Sequence, residues 1–349
     1  MLKFIRIILS PLTFLFKFII DFRNDLFDKK IFKQTKVNCK VISVGNLTVG
    51  GSGKTPFVIM LTKYLKSKNN KVGVLSRGYG RNSKGYLLIS KDGSPLMKVS
   101  KSGDEILLVS NECKVPAAVA EKRVEGAQKF LRDVELETIV LDDAFQHRWI
   151  QRDLDILIFD QKFLSSVNNI EQNLLPLGNM RESFDSVNRA DMIIINRKFS
   201  PKINIPTKLK HHFSNKEVYF SFYKVEGIYD VKNNKKYSID EFNGQNSLVV
   251  CGIARPFSFL RVLEENNINI KNKIIFTDHK DYSIKEVEQI RKDFYSTNSY
   301  SVLTTQKDAV KLMEFNKELD DIDIYFLKIE LVIEDEKEFF EKIDSKIFN

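Results

Sequence analysis

The chain has 349 residues, a formal charge of +9 and a sequence pI of about 9.1. Hydrophobic residues make up 43% of it, which is enough for a substantial core and excludes a globally disordered or fibrous protein. The surplus charge favours an anionic partner such as a nucleotide, a phosphorylated substrate or an anionic lipid, although a solvated basic surface explains it equally well.

Residues 1–22 are rich in Leu, Ile and Phe but match neither a spanning helix nor a cleaved signal. Lys3, Arg6 and Lys17 interrupt the apolar run, and no small-residue cleavage site follows it. The polar residues recur every three or four positions, so on a helix they form one narrow stripe opposite a wide apolar face. This pattern favours an amphipathic helix that lies in the interface of a lipid bilayer. A helix packed on the protein's own core is the alternative.

Short apolar strands alternate with helices in the first half of the chain. The predicted strands are residues 40–44, 72–75, 138–141, 155–159 and 192–195, and the predicted helices are 56–66 and 120–131. Alternation of this kind is typical of an α/β fold with a doubly wound, mostly parallel sheet, as in P-loop NTPases.

A glycine-rich loop separates the first strand from the first of these helices. It departs from the strict Walker A pattern because Thr48 stands at its first position. Glycines let backbone N–H groups approach phosphate oxygens, and the helix N-terminus adds a favourable dipole. We expect Lys54 to reach the β- and γ-phosphates of ATP and the Thr55 hydroxyl to ligate Mg²⁺. The residues expected to bind the nucleotide are Thr48, Val49, Gly50, Gly51, Ser52, Gly53, Lys54 and Thr55.

Acidic residues and one histidine are candidates for the chemistry. An apolar strand ends in Asp142 and Asp143, as in a Walker B site that holds the metal or a water, although surface acids fit too. Asp104 precedes an apolar segment, so it fits a helix N-cap as well as a general base. His279 follows a predicted strand, where polar groups tend to face the ligand crevice, and a loop histidine with no role fits equally well.

The pattern changes near residue 216. Residues 218–223 alternate and a polar turn follows, which indicates a linker or hairpin. Beyond it, predicted strands at 247–251, 274–276, 301–304 and 324–327 alternate with predicted helices at 257–265, 284–294 and 307–315. We therefore divide the chain into an N-terminal helix with its lead-in (1–36), a P-loop unit (37–215), a β linker or hairpin (216–236) and a smaller C-terminal α/β unit (237–349) that closes over the active site.

The ordered motifs of the chain resemble those of the tetraacyldisaccharide 4′-kinase family. They are VGNLTVGGSGKTP (44–56), SRGYG (76–80), GDE (103–105), LDDAFQHR (141–148), LPLGNMRE (175–182), GIARP (252–256), TDH (277–279) and TTQKD (304–308). Each motif alone is weak, but the ordered set is specific and covers most of the chain. The N-terminal helix is also a family feature.

The resemblance implies a lipid A pathway kinase at the cytoplasmic face of the bacterial inner membrane. It would transfer the γ-phosphoryl of ATP to the 4′-hydroxyl of an acylated glucosamine disaccharide 1-phosphate. By motif, Asp104 would act as the general base, and His279 would orient and polarise it. Asp143 would also take part in catalysis. The implied Mg²⁺ ligands are Thr55, Asp142 and Glu105. The implied contacts to the disaccharide and its 1-phosphate are Gln146, His147, Arg181, Glu182 and Arg123, because Arg suits bidentate phosphate recognition.

Some positions depart from the family pattern, and two other functions compete with the kinase interpretation. Lys280 stands where a second histidine is often seen, Gln306 replaces a usual glutamate, and Ser183 stands where proline is common. One rival is a membrane-associated P-loop switch ATPase without a lipid substrate. Such ATPases carry a lysine ahead of the Gly-Gly, where this chain has Val49. The other rival is a nucleotide-dependent nucleic-acid protein, but zinc-finger, helix-turn-helix and RNP signatures are lacking. We expect a monomer without a nucleic-acid partner.

Overall fold

The computed structural model describes residues 9–166, 170–253, 256–278 and 280–348. One continuous sheet, mostly parallel, runs through the molecule. Its strands are β1 (Lys40–Gly45), β2 (Val72–Ser76), β3 (Leu87–Ser90), β4 (Ala117–Val119), β5 (Thr138–Asp142), β6 (Leu154–Asp160), β7 (Met192–Asn196), β8 (Glu217–Asp230), β9 (Lys236–Tyr237), β10 (Ser247–Cys251), β11 (Lys273–Ile275), β12 (Ser301–Thr305) and β13 (Ile324–Ile333). The spatial order is β11-β10-β12-β13-β8-β7-β6-β1-β5-β2-β4-β3, with β9 paired to β8.

Helices follow most of the strands. The α-helices are α1 (Ser10–Asp28), α2 (Lys54–Ser67), α3 (Val99–Ser102), α4 (Asp104–Cys113), α5 (Arg123–Asp133), α6 (Gln161–Ser165), α7 (Thr207–Phe213), α8 (Pro256–Glu265), α9 (Ile284–Ser296), α10 (Gln306–Leu312) and α11 (Glu336–Ile347). Short 3₁₀ turns lie at Ile170–Gln172, Phe184–Arg189, Ile239–Phe242 and Met313–Phe315. The predicted α/β class is confirmed.

Apolar side chains alternate between the two faces of the sheet, as the period of two along a strand requires. Ile42 and Val140 pack in a core with the residues of α2 and α4. Val41 and Ile139 pack in a second core with the residues of α5. We call the part built on β1 to β7 the first unit, and the part built on β10 to β12 the second unit, which has cores of its own.

Strands β8 and β13 join the two units through an antiparallel pairing, with an irregularity between Lys328 and Ile329. Within the segment predicted as a linker or hairpin, β9 turns back along β8 and pairs with it antiparallel. However, β8 also pairs in parallel with β7, so this segment is part of the sheet and not a separate linker.

The chain returns to the first unit at its end, which differs from the predicted division. Phe339 and Ile343 of α11 are buried in the same core as Phe57 and Leu61 of α2. The predicted division puts all of residues 237–349 in the C-terminal unit, and no helix is predicted where α11 lies. The difference arises because the apolar face of α11 is buried against the first unit, far away along the chain.

Helix α1 has one packed side and one exposed side. Phe16 packs against a core of the first unit, and Asn24 and Phe27 are buried. Phe14 and Phe18, by contrast, are 77% and 67% exposed. The part of the helix prediction that covers residues 1–8 lies outside the described residues. None of the described helices is both long enough and apolar enough to cross a membrane.

Candidate active site

The glycine-rich loop connects β1 to α2 in the backbone conformation that its glycines permit. Gly50 and Gly53 have φ angles of +107° and +96°, which side-chain-bearing residues rarely adopt. At Gly53 a Cβ atom would also lie 2.1 Å from Asn196 Nδ2 and 2.6 Å from the Tyr223 hydroxyl. Glycine is therefore required at this position by both conformation and space.

Polar groups at the ends of neighbouring strands hold this loop in place. Asn196 Nδ2 donates to Ser52 O at 3.2 Å. Lys198 Nζ donates to Gly51 O at 2.9 Å and forms an ion pair with Asp160 at 2.8 Å. Sequence reasoning missed Asn196, Lys198 and Asp160. Their signal was their place at the carboxyl ends of β6 and β7, where α/β folds carry ligand-binding groups.

Asp143 connects the loop lysine to an arginine. Lys54 Nζ lies 3.5 Å from Asp143 Oδ1, and Arg181 Nη1 lies 2.9 and 3.0 Å from the two carboxylate oxygens. Burial alone would raise the pKa of Asp143, but Lys54 and Arg181 together hold it below its ordinary value. Three of the predicted site residues therefore converge, with Asp143 as an anion.

Asp142 lies behind Asp143 and is 2% exposed. Ser76 Oγ donates to its Oδ2 at 3.2 Å, whereas its Oδ1 has no hydrogen-bond partner among the described residues. Burial, followed by the nearby charges of Glu105 and Asp143, raises the pKa of Asp142 well above its ordinary value. A cation at Oδ1 would relieve this unfavourable position.

Within the described ranges, no cluster of three or more His, Cys, Asp or Glu side chains is arranged to hold a metal ion. Mg²⁺ is commonly bound by one or two carboxylates together with substrate phosphates, and a single buried carboxylate such as Asp142 fits such a site.

Asp104 and Glu105 open helix α4 and meet two lysines of the second unit. Asp104 is the first residue of the helix and Gly103 is its N-cap, so the N-cap interpretation of Asp104 is wrong. Its Oδ2 lies 3.0 Å from Lys311 Nζ and 3.6 Å from Lys307 Nζ. Lys307 Nζ also donates to Glu105 Oε1 at 3.2 Å. His279, the predicted partner of Asp104, lies outside the described residues.

Gln146 and His147 follow the two aspartates in the chain, after Ala144 and Phe145. Gln146 Nε2 donates to Asn46 O at 2.9 Å, and its Oε1 is 3.5 Å from Arg181 Nη1. His147 is half-buried, and burial together with the charge of Arg123 lowers its pKa to about 4. The imidazole is therefore neutral at physiological pH.

Two predicted substrate contacts are buried in the protein instead. Glu182 is 0% exposed, and its carboxylate accepts hydrogen bonds from Arg189 at 2.6 Å and Asn24 at 3.2 Å. Arg123 is 2% exposed, and its guanidinium donates to Asp142 O and Ala120 O. Direct contact of either residue with the substrate stays a prediction. Their side chains are used to brace the segments that carry Arg181 and Asp142.

A cleft of about 500 Å³ lies between the two units. The first unit contributes the glycine-rich loop, Asp143 and Arg181, and the second unit contributes Phe259 and Lys307 among others. A glycine-rich loop that opens a helix, its lysine, and the carboxylates of Asp143 and Glu105 all line this cleft, which defines a P-loop enzyme of the phosphoryl-transfer class.

The comparisons with known proteins identify the family. A family model for tetraacyldisaccharide-1-phosphate 4′-kinase matches residues 5–348. The tetraacyldisaccharide 4′-kinases of Aquifex aeolicus and Bdellovibrio bacteriovorus are each 32% identical to the chain; the alignments cover 99% of both sequences for the first, and 88% of this chain and 90% of the relative for the second. The crystal structure of apo-form LpxK from Aquifex aeolicus in complex with ATP has a TM-score of 0.82 at 32% identity and covers 98% of this chain and 99% of that one. The chain belongs to the tetraacyldisaccharide-1-phosphate 4′-kinase family.

This membership confirms the resemblance inferred from the motifs, and with it the class of ATP-dependent kinase. The switch-ATPase alternative is not favoured, because the family match extends over nearly the whole chain and includes the second unit.

Proposed function

We propose that the chain transfers the γ-phosphoryl of ATP to the 4′-hydroxyl of tetraacyldisaccharide 1-phosphate in lipid A biosynthesis. The names of its relatives describe this activity for them. The observation that carries the proposal is the meeting of Lys54, Asp143 and Arg181 in a cleft whose opposite wall belongs to the second unit.

Lys54 is the side chain that would bind the phosphates of ATP. Its ammonium is paired with Asp143 at 3.5 Å, a weak contact that a triphosphate carrying more charge would replace. Backbone N–H groups of the loop and the N-terminus of α2 supply further positive potential. Together they would stabilise the charge that spreads over the transferring group.

The residues present fit a Mg²⁺ ion shared with the phosphates. Asp142 Oδ1 is buried without a hydrogen-bond partner among the described residues, and Thr55 stands in the first turn of α2. We propose that Asp142, Thr55 and Glu105 are the protein groups around the Mg²⁺ ion. Glu105 belongs to α4 of the first unit and faces the second unit. When bound, the metal would neutralise phosphate charge.

Asp104 is the proposed general base. It lies at the N-terminus of α4, where the helix dipole favours an anion, and lysines of the second unit are within 3.0 and 3.6 Å. In the reaction the 4′-oxygen would bond to the γ-phosphorus as its O–H proton moves to Asp104, while the bond from phosphorus to the β–γ bridging oxygen breaks to release ADP. His279 stays a predicted orienting partner.

Arg181, Gln146 and His147 are proposed contacts of the disaccharide and its 1-phosphate. Arg181 has donors suited to a phosphate, and the hydrogen bond from Gln146 to Asn46 O fixes that side chain beside it. The neutral imidazole of His147, with Nδ1 unpaired among the described residues, could hydrogen-bond a sugar hydroxyl.

We further propose that α1 contacts the cytoplasmic face of the inner membrane, where this lipid substrate would be found. Its exposed phenylalanines favour the apolar boundary of a bilayer. The same helix is attached to the segment that carries Arg181, because Arg23 and Asn24 both donate hydrogen bonds to the neighbouring residue, Glu182. If α1 lies in the membrane interface, it would therefore hold the acceptor site close to the membrane surface.

The test is incubation of the full chain with γ-labelled ATP, Mg²⁺ and acylated disaccharide 1-phosphate in detergent micelles, followed by thin-layer separation. The expected product is a labelled bisphosphorylated lipid, absent when the acceptor is omitted and strongly reduced in Lys54→Met. Label released only as inorganic phosphate, at the same rate with and without the lipid, would overturn the proposal.

A further inference from the structure

Helix α10 of the second unit carries a lysine that is buried against the proposed base. Lys311 is 4% exposed, and its ammonium lies 3.0 Å from Asp104 Oδ2. It also donates to the main-chain oxygen of Lys280 at 3.1 Å. An ammonium group is costly to bury unless it is paired and hydrogen-bonded, and these two partners supply both conditions.

The position of this lysine is set by contacts along its own helix. Thr305 caps α10 by accepting from Asp308 N, and Asp308 Oδ2 in turn accepts from Gly252 N at 2.9 Å at the end of β10. α10 runs opposite to α4, because Gln306 reaches Glu112 at the far end of α4 while Lys311 reaches Asp104 at its start. The helix is therefore fastened at both ends, and Lys311 has little freedom to move away.

Lys307, one turn earlier, differs from Lys311 in its access to the cleft. Lys307 lines the cleft, and its Nζ is closer to Glu105 than to Asp104. Lys311 is buried, and its two polar contacts, Asp104 Oδ2 and Lys280 O, both lie within the protein. Its effect on the reaction has to pass through Asp104 or through the segment that includes Lys280.

We propose that Lys311 is a positioning residue for phosphoryl transfer, a role that rests on the proposed function of Asp104. Its ammonium fixes the Asp104 carboxylate on the first unit and, through Lys280 O, the segment of the second unit that follows His279 in the chain. One buried side chain thereby fixes the position of the two units relative to each other at the point where the acceptor hydroxyl must lose its proton.

A purely structural ion pair would give different kinetics from a positioning residue. Loss of a structural contact lowers stability and the amount of active enzyme, whatever residue stands at position 104. Loss of a positioning contact lowers kcat by displacing the base, and has no further effect once the base itself has been removed.

The experiment compares Lys311→Met, Lys311→Arg, Asp104→Asn and the double variant Asp104→Asn/Lys311→Met with the wild type. All are full chains in detergent micelles, assayed for kcat and for KM of ATP and of acylated disaccharide 1-phosphate. Lys317→Met changes an exposed lysine just beyond α10 and is the matched control. Thermal unfolding of each variant is measured alongside.

We expect Lys311→Met to lower kcat by about 10- to 100-fold with the KM of ATP unchanged, because a small displacement of a reacting group costs rates of this size. Lys311→Arg keeps the charge and should recover most of kcat. The double variant should turn over at the rate of Asp104→Asn alone. If Lys311→Met does not fold, this last comparison still decides, because removing both charges leaves neither one buried and unpaired.

A double variant about 10-fold or more slower than Asp104→Asn would overturn the inference, and so would an unchanged kcat in Lys311→Met. Failure of the proposed function gives a different pattern, in which the wild type forms no phosphorylated lipid or Asp104→Asn turns over at the wild-type rate.

Discussion

The two carboxylates nearest to the proposed chemistry are held in different ways. The side chain of Asp143 is 31% exposed and forms ion pairs with Lys54 and Arg181, both of which line the cleft. Asp104 is 4% exposed and paired with Lys311, which is buried to the same degree. The first set of contacts is open to the cleft, where phosphates could compete for Lys54, whose distance to Asp143 is 3.5 Å, and the second set is enclosed and fixed. The donor side of the site is therefore adaptable, and the base side is rigid.

The largest effect should come from the fixed carboxylate. Asp104→Asn keeps the size of the side chain but removes its basicity, so kcat should fall by about 10³-fold, within the range known for general bases. The affinity for ATP, measured by calorimetry, should stay within about twofold of wild type. An unchanged kcat would remove Asp104 from the chemistry and abolish the contrast between the two carboxylates.

A second fixed carboxylate, Glu182, should affect stability and not only catalysis. Glu182→Gln leaves the guanidinium groups of Arg23 and Arg189 without their buried anion, so the free energy of unfolding should drop by about 3 kcal/mol or more. Urea unfolding followed by circular dichroism measures it. The control is Glu265→Gln, which breaks an exposed pair with Arg261 and should cost less than about 1 kcal/mol. Equal losses in the two variants would show that burial of Glu182 has no energetic weight.

The exposed side of α1 should matter for lipid binding alone. Phe18→Ser removes a ring that is 67% exposed, so stability should change little, while binding to sedimented vesicles should weaken about tenfold. Phe27→Ser is the contrast, since Phe27 is buried against Trp149 and should lower stability instead. Undiminished vesicle binding by Phe18→Ser would contradict the membrane role of this face.

The exchangeable carboxylate should give the smallest effect and one of opposite sign. Asp143→Asn releases Lys54 from its anion, so binding of metal-free ATP in the presence of a chelator should tighten by about three- to tenfold. Isothermal titration measures the affinity. Binding that weakens under these conditions would mean that Asp143 orients Lys54 for the phosphates and does not compete with them.

The sequence predicted the sheet and the loop because their signals are local. Apolar runs that end in polar residues identified β1, β5 and β7, and the glycines with Lys54 and Thr55 identified the phosphate loop. The end of a predicted apolar strand identified Asp143, and the family motifs added Arg181, which the structure brings together with it.

Side-chain direction and long-range packing carried no such signal. The motif that contains Glu182 shows that the residue matters, but not that it points inward to Arg23 and Arg189. Helix α10 was predicted over 307–315, yet its contact with α4, and hence the role of Lys311, depends on how β12 and β13 place the second unit. The support of the loop by Asn196 and Lys198 likewise follows from strand order in space.

The most direct test of the central claim is to locate the transferred phosphate. The lipid product of the wild-type reaction is purified and studied by proton–phosphorus correlation spectroscopy. The account predicts a new phosphomonoester coupled to the proton on C4′ of the disaccharide, with the original 1-phosphate intact. A phosphate on any other oxygen, or consumption of ATP with no new lipid phosphate at all, would contradict it.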